Sequence, residues 1–155
     1  MKPLSSLVRR RSSGPDRSTP RAGSATIPYV PRWLVDGMNV IGSRPDGWWR
    51  DRAGAVRALA VELDRFADAT GEQVTVVFDG QPRDVRAKVT VRFAPGGRNA
   101  ADDEIARLVA ADDAPGDLLV VTSDADLAAR VRIAGASVKG AGTLRRHLDD
   151  LDADG

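Results

Sequence analysis

The chain has 155 residues and a net charge of +1, and it contains no cysteine and one histidine. This length suits a single domain with a substantial core. The lack of cysteine excludes disulfides and thiolate metal sites, and the lone His147 argues against a His-rich zinc site or a Ser-His-Asp triad. No apolar run reaches the roughly 18 residues of a membrane span, and none follows the basic N-terminus as in a secretory signal. We therefore expect a cytoplasmic protein that does not bind membranes.

Charge is distributed unevenly along the chain. Residues 1–32 hold seven basic side chains and one acidic side chain, whereas the remainder has a net charge of −5. Residues 1–31 are rich in Ser, Pro, Arg and Gly and lack apolar periodicity, which predicts a disordered basic arm before a domain at 32–150. A solvated tail and an arm whose arginines contact nucleic-acid phosphates both fit this composition.

Strand patterns begin at Trp33. Short apolar runs that end abruptly are typical of buried parallel strands, and they occur at 33–35, 74–78, 118–121 and around Val138. Residues 85–93 instead alternate apolar with polar side chains, which predicts a half-exposed strand at a sheet edge.

Helical periodicity fills the intervals between these strands. The predicted helices lie at 56–67, 99–109, 124–132 and 144–151, and Gly71 ends the first of them. Strands that alternate with helices predict an α/β fold with three layers, in which a mostly parallel sheet is flanked by helices. Ligands of such sheets bind beyond the carboxyl ends of the strands.

Aspartates follow these strand ends repeatedly. Asp36 ends the first strand, Asp79 the second, and Asp124 and Asp126 follow the fourth, while Asp102 and Asp103 open the middle helix. Carboxylates gathered at one edge cannot all stay ionised without compensation. Magnesium and manganese prefer such oxygen ligands, lower the pKa of a bound water and neutralise charge on a phosphoryl group. Phosphodiester hydrolysis at this edge would therefore need neither histidine nor cysteine.

Each aspartate also has a structural interpretation on its own. Asp36 and Asp79 could shape turns, and Asp124 could be the N-cap of its helix. Asp102 and Asp103 could favour the positive first turn of theirs. Their conjunction in one short chain favours a common site, in which Asp79 is the weakest member.

Four segments together resemble the NYN domain, and specifically its YacP-like branch within the PIN-like nuclease superfamily. They agree in order and spacing, and the resemblance covers roughly residues 32–148. The segments are 33–41 (WLVDGMNVI), 76–80 (VVFDG), 101–105 (ADDEI) and 121–127 (VTSDADL).

The resemblance implies a PIN-like fold and a magnesium- or manganese-dependent endoribonuclease that acts in RNA processing or decay. Its implied metal ligands and catalytic residues are Asp36, Asp102, Asp124 and Asp126, and Asn39 would orient substrate or a metal-bound water. The RNA substrate could be accompanied by ribosomes or RNA-processing factors as partners, and a monomer and a homodimer both remain open.

Four further residues have two interpretations each. Arg98 and Ser123 could contact phosphate, or could be a solvated charge and a capping hydroxyl. Trp48 and Trp49 could stack on unpaired bases or cover the sheet edge. Two alternative functions also stay open, namely an RNA-binding protein with a degenerate site and a PIN-type toxin, because fold does not fix function.

Overall fold

The computed structural model describes residues 30–154. Most of the predicted arm, residues 1–29, lies outside the described residues, so the arm and its boundary stay predictions. The strands are β1 (Arg32–Asp36), β2 (Val74–Asp79), β3 (Thr90–Ala94), β4 (Leu118–Val121) and β5 (Ser137–Lys139). The helices are α1 (Gly37–Ile41), α2 (Arg52–Thr70), α3 (Ala100–Ala111), α4 (Ala125–Ile133) and α5 (Ala141–Asp154), and short 3-10 turns lie at Trp48–Arg50 and Pro115–Asp117.

The five strands form one sheet in the order β3-β2-β1-β4-β5, and every neighbouring pair is parallel. This confirms the expected parallel α/β fold. The chain moves outward from β1 through β2 to β3 and then crosses to the other side of β1 to form β4 and β5. The direction of winding therefore changes between β1 and β4, and such a switch point is where parallel sheets open a crevice for ligands.

Each face of the sheet has its own core. On one face, α1, α2 and α5 bury an apolar layer that includes Val40, Leu59, Leu63 and Leu144. On the other face, α3 and α4 bury a smaller layer that includes Ile105 and Leu127. Helices on both faces explain why the apolar residues Trp33, Leu34 and Val35 of β1, and those of β4, run consecutively rather than alternating with polar residues. Within residues 30–154, no helix is long and apolar enough to cross a membrane.

Helix α2 shows how the sequence sets the ends of an element. Its N-cap, Asp51, accepts a hydrogen bond from the backbone N–H of Gly54 at 2.9 Å, which satisfies one of the free donors of the first turn. At the other end Gly71 adopts a left-handed conformation with a φ of 74°, which glycine tolerates without strain. The predicted end of this helix is thus confirmed.

The predicted strand at 85–93 is only partly correct, because β3 is confined to Thr90–Ala94 at the edge of the sheet. The residues before it do not pair with β2. The Asp64 carboxylate on α2 accepts hydrogen bonds from the backbone N–H groups of Lys88 and Val89, and Val85 packs against the core. The alternating pattern therefore reflects packing against α2 as well as pairing within the sheet.

Candidate functional site

Asp36 lies at the carboxyl end of the central strand, beside the switch point. Val35 of β1 pairs with Val121 of β4, so the next residues, Asp36 and Thr122, stand level with each other. The Thr122 hydroxyl donates to Asp36 Oδ2 at 3.0 Å, and both residues are buried, with 2% and 4% of their surface exposed. Sequence analysis did not single out Thr122, although it lies between the end of β4 and Ser123.

The glycine after Asp36 is required by close packing. Gly37 begins α1 directly over β2, and a Cβ atom added there would lie 2.4 Å from Cε1 of Phe78 and 3.0 Å from Cγ2 of Val76. The Asp36-Gly37 pair is therefore more than a turn signal. The glycine lets α1 start immediately at the strand end, which places Asn39 one turn beyond Asp36.

The surroundings of Asp36 favour the protonated, uncharged form of its carboxyl group. Its pKa is raised from 3.8 to about 6, chiefly by burial and also by the charges of Asp102 and Asp79. Hydrogen bonds from the Thr122 hydroxyl and the Asn39 backbone N–H act in the opposite direction. Because the pKa is raised overall, desolvation and the neighbouring carboxylates outweigh these two hydrogen-bond donors.

Asp102 approaches from α3, on the opposite face from α1. The Asp79 carboxylate accepts a hydrogen bond from the backbone N–H of Ala101 at 2.8 Å, which fastens the start of α3 to the end of β2. Burial raises the pKa of Asp102, and the charges of Asp124 and Asp79 raise it further, while Arg130 lowers it. Asp79 thus has a structural role and also adds its charge to the site.

Asp124 and Ser123 join the site through the loop after β4. Asp124 is the N-cap of α4 and accepts from the backbone N–H of Leu127 at 2.9 Å, as one of the two interpretations of this residue expected. The backbone N–H of Ser123 donates to Asn39 Oδ1 at 2.7 Å. The Ser123 hydroxyl accepts from the backbone N–H of Ala141 at 2.9 Å, so it caps α5.

Four aspartates therefore influence one another electrostatically at this edge, and we call Asp36, Asp79, Asp102 and Asp124 the edge cluster. Among the residues that the structure describes, none of the four forms a salt bridge. The remaining predicted residues lie farther out. Asp126 is exposed in the first turn of α4, and Arg98 is exposed in the loop before α3.

Asp103, the residue after Asp102, is largely exposed to solvent. Its side chain is 71% exposed and pairs with Arg130 at 3.0 Å, which links α3 to α4. A structural interpretation therefore accounts for this residue.

A second acidic group lies between α2 and α5. Glu62, Asp149 and Asp152 each offer a carboxylate oxygen within 4.8 Å of the others, and we call them the helix cluster. Within residues 30–154, no three of the predicted metal ligands lie as close together as that. A cation among the predicted ligands would therefore be coordinated partly through water, as is usual for magnesium.

The helix cluster is neutralised by arginines. Arg145 lies 3.1 Å from both oxygens of Glu62, Arg65 lies 2.8 Å from Asp152, and Arg44 pairs with Asp149. Three cations match three carboxylates, so this group needs no metal to balance its charge.

The fold and the edge cluster together define a nuclease-like α/β domain, because acidic residues that form no salt bridge within residues 30–154 meet at the switch point of a parallel sheet. The chain belongs to the YacP-like NYN domain family, whose model matches residues 33–154.

Solved structures and curated relatives agree with that assignment. Two crystal structures of Rae1 (YacP) from Bacillus subtilis, one of them a mutant, are similar to this chain. The mutant structure has a TM-score of 0.68 at 27% identity and covers 81% of this chain and 79% of that one. The other has a TM-score of 0.66 at 26% identity and covers 79% and 76%.

UPF0178 proteins of Xanthomonas oryzae pv. oryzae are 39% identical over 98 residues. That match covers 63% of this chain and 58% of the relatives' length. The family and the structural similarity support a nuclease-like, RNA-related function, and NYN nuclease domains typically use divalent metals.

Proposed function

We propose that this domain is a metal-dependent endoribonuclease that cleaves RNA in processing or decay, with magnesium or manganese as its cofactor. The observation that supports this most strongly is the mutual repulsion of the acids in the edge cluster. A buried aspartate with a pKa raised to about 6 stands beside acidic neighbours, and none of them forms a salt bridge within residues 30–154. Carboxylates that repel one another favour a divalent cation.

The donor set of the edge cluster fits a hard divalent cation, because every candidate ligand is a carboxylate oxygen. Asp36, Asp102 and Asp124 would bind the metal, and Asp126, at the start of α4, would complete the set. A metal bound there would acidify a water molecule and neutralise charge that develops on the scissile phosphate.

The chain's own polar groups would orient the RNA. Asn39 is held at its Oδ1 atom by the backbone N–H of Ser123, which leaves the amide nitrogen to donate to a phosphate oxygen or a water. Arg98, exposed before α3, would contact a neighbouring phosphate, and the Ser123 hydroxyl would donate a second hydrogen bond there.

The proposal is tested by incubating the purified protein with total RNA, with and without manganese. The parent should cleave only when the metal is present. The Asp124→Asn variant should lose cleavage by a factor of about a hundred or more, because it lacks a charged ligand for the chemical step. Asparagine caps helices as well as aspartate does, so the fold and much of the RNA affinity should be retained.

Asp152→Asn is the matched control, since it removes the same charge from the helix cluster and should leave cleavage unchanged. Equal cleavage by Asp124→Asn and the parent would indicate a contaminating nuclease or a different site. Binding of RNA without any cleavage by the parent would favour the alternative of an RNA-binding domain with a degenerate site.

A further inference from the structure

The connection between α1 and α2 contains two adjacent tryptophans with unequal surroundings. Their rings meet edge to face, with centroids 5.9 Å apart and an interplanar angle of 85°. Trp48 is partly buried and packs against the core, whereas 54% of Trp49 is exposed. We propose that Trp49, with Arg50 and Arg52, forms a stacking platform for an unpaired base of single-stranded RNA. The inference rests on the proposed function, since it names the form of RNA that the site takes.

The cations beside the tryptophans support this assignment. The Arg50 guanidinium lies 5.7 Å from the ring centroid of Trp49, and the Arg52 guanidinium lies 5.7 Å from that of Trp48. Within the part of the chain that the structure describes, neither arginine forms a salt bridge. Both positive charges therefore remain available to RNA phosphates, which surround any base that stacks on Trp49.

The acidic side chains of this connection are engaged elsewhere. Asp51 caps α2 through the backbone N–H of Gly54, and Asp46 accepts from the backbone N–H of Trp48 at 3.2 Å. Each carboxylate stabilises the local turn, and neither pairs with Arg50 or Arg52. The platform is thus a positive surface on a domain whose residues 33–155 are otherwise net acidic.

The backbone holds the platform in place before RNA binds. Gly47 adopts a left-handed conformation with a φ of 81°, and its carbonyl accepts from the backbone N–H of Arg50 at 3.0 Å. The Trp48 carbonyl accepts from the backbone N–H of Asp51 at 3.1 Å. A pre-organised aromatic surface loses little entropy on binding.

The platform lies at the carboxyl edge of the sheet, as the edge cluster does. Helix α2 has 19 residues and spans about 28 Å, whereas a five-residue strand such as β1 spans about 17 Å. Helix α2 ends just before β2 begins, at the amino edge of the sheet. Its start, next to Trp49, therefore lies beyond the carboxyl edge, where α1 and Asn39 also lie.

Single-stranded RNA is the ligand that fits these features best. Unpaired bases expose flat faces that stack on an aromatic side chain regardless of sequence. The bases of an A-form duplex are already stacked, and its deep major groove excludes such side chains. Arg50 and Arg52 also match the negative backbone of RNA, in which a phosphate accompanies each base.

The test measures RNA binding by the full chain in the Asp124→Asn background, which does not depend on cleavage. A fluorescent oligoadenylate serves as the single strand, and the same strand annealed to oligouridylate serves as the duplex. Trp49→Ala should weaken single-strand binding about fivefold to a hundredfold and leave duplex binding unchanged. Trp49→Phe should restore most of the loss. Ile133→Ala, which removes a side chain that is 88% exposed on α4, is the control and should have no effect.

Salt dependence separates the aromatic contribution from the charged one. Trp49→Ala should leave the slope of log K against log salt unchanged, whereas Arg50→Gln should reduce its magnitude by about 0.7. Single-strand binding by Trp49→Ala equal to that of the parent would overturn the inference, as would equal losses for single strand and duplex. A change of Trp49→Ala from dimer to monomer without loss of RNA affinity would assign the surface to a second copy instead. A parent that binds through Trp49 but never cleaves would contradict the proposed function and leave this inference standing.

Discussion

The edge cluster and the helix cluster are built from the same kind of side chain, but their charge is balanced differently. In the helix cluster, Arg145 and Glu62 are each less than 15% exposed and lie 3.1 Å apart, and further arginines pair with the remaining carboxylates. In the edge cluster, Asp36 is even more enclosed, with 4% of its surface exposed, yet its strongest charged neighbours are Asp102 and Asp79. One group is a set of ion pairs between α2 and α5, and the other is a set of mutually repelling acids.

The difference shows why close spacing alone does not identify a metal site. Distances among carboxylates favour the helix cluster, whose oxygens lie within 4.8 Å of one another. Charge balance favours the edge cluster, because its acids have no ion-pair partners within the described residues. We give more weight to charge balance, since a cation added to a neutral set of ion pairs would have to displace arginines that are already in place.

The largest expected difference between the clusters is in how each makes the stability of the fold depend on pH. Because the pKa of Asp36 is raised from 3.8 to about 6 in the folded protein, its protonated form favours folding. The stabilisation is fully present below about pH 4 and is lost as the pH rises through about 6. It amounts to about 3 kcal/mol across the whole range and about half of that between pH 5 and 7.5.

Chemical denaturation of metal-free protein at several pH values measures this effect. Asp36→Asn should lose most of this pH dependence, whereas Asp152→Asn should keep it. A parent and an Asp36→Asn variant with parallel stability profiles would show that Asp36 is not the group responsible.

Metal should stabilise the fold through the edge cluster only. A ligand that binds the native state alone adds about 2.7 kcal/mol at a hundredfold excess over its Kd, which raises the Tm of a domain this size by several degrees. Manganese or magnesium should produce this rise in the parent and in Asp152→Asn, and a smaller rise in Asp124→Asn. Metal affinity should also fall as the pH drops below about 6, because protons compete for the carboxylates.

Thermal scans with and without millimolar manganese check that expectation. If manganese does not raise the Tm of the parent, or if it no longer raises the Tm of Asp152→Asn, the prediction of a metal site at the carboxyl edge is wrong.

Neutralising one acid in each cluster should change metal-free stability in opposite directions, by about 1–2 kcal/mol or less. Asp124→Asn removes a repelling charge and keeps a capping oxygen, so it should melt above the parent. The gain is limited because a negative charge also favours the N-terminus of α4. Glu62→Gln should melt below the parent, because it leaves the enclosed Arg145 without its main partner.

Differential scanning calorimetry of the metal-free parent, Asp124→Asn and Glu62→Gln measures the direction of each change in Tm. If Asp124 acted only as a cap, Asp124→Asn would be neutral or destabilising.

The sequence was sufficient to predict the elements that form the edge cluster. Abrupt apolar runs located β1, β2 and β4. The rule that parallel strands end at one edge grouped Asp36 with Asp124, and the predicted start of the middle helix added Asp102. The sequence could not show that Asp79 fastens α3 to β2, because that hydrogen bond depends on how the two elements pack together. Nor could it separate Asp102 from Asp103, since adjacent helical residues point in different directions and only the packing of α3 decides which faces the site.

Sequence analysis did not detect the helix cluster, for a related reason. Glu62 and Asp149 are 87 positions apart on helices whose polar residues look like ordinary solvated faces. Only the packing of α5 beside α2 brings them together. The two tryptophans show the same limit. Their spacing fits stacking on bases and covering of the sheet edge equally well, and only the structure shows that Trp48 packs against the core while Trp49 is exposed.

Deleting residues 1–30 should have the smallest effect on stability, while it changes RNA binding. The segment contains Arg9, Arg10, Arg11, Arg17 and Arg21, and each phosphate that they neutralise contributes about −0.7 to the slope of log K against log salt for single strands. Arg32 survives the deletion, and it pairs with Asp112 at 2.7 Å, so the fold should be unaffected. The truncated protein should melt like the parent, bind RNA more weakly and show a flatter salt dependence, while its dependence on Trp49 should persist. A salt slope identical before and after truncation would show that the arginines of the arm do not contact RNA, and would assign the electrostatic part of binding to the folded domain.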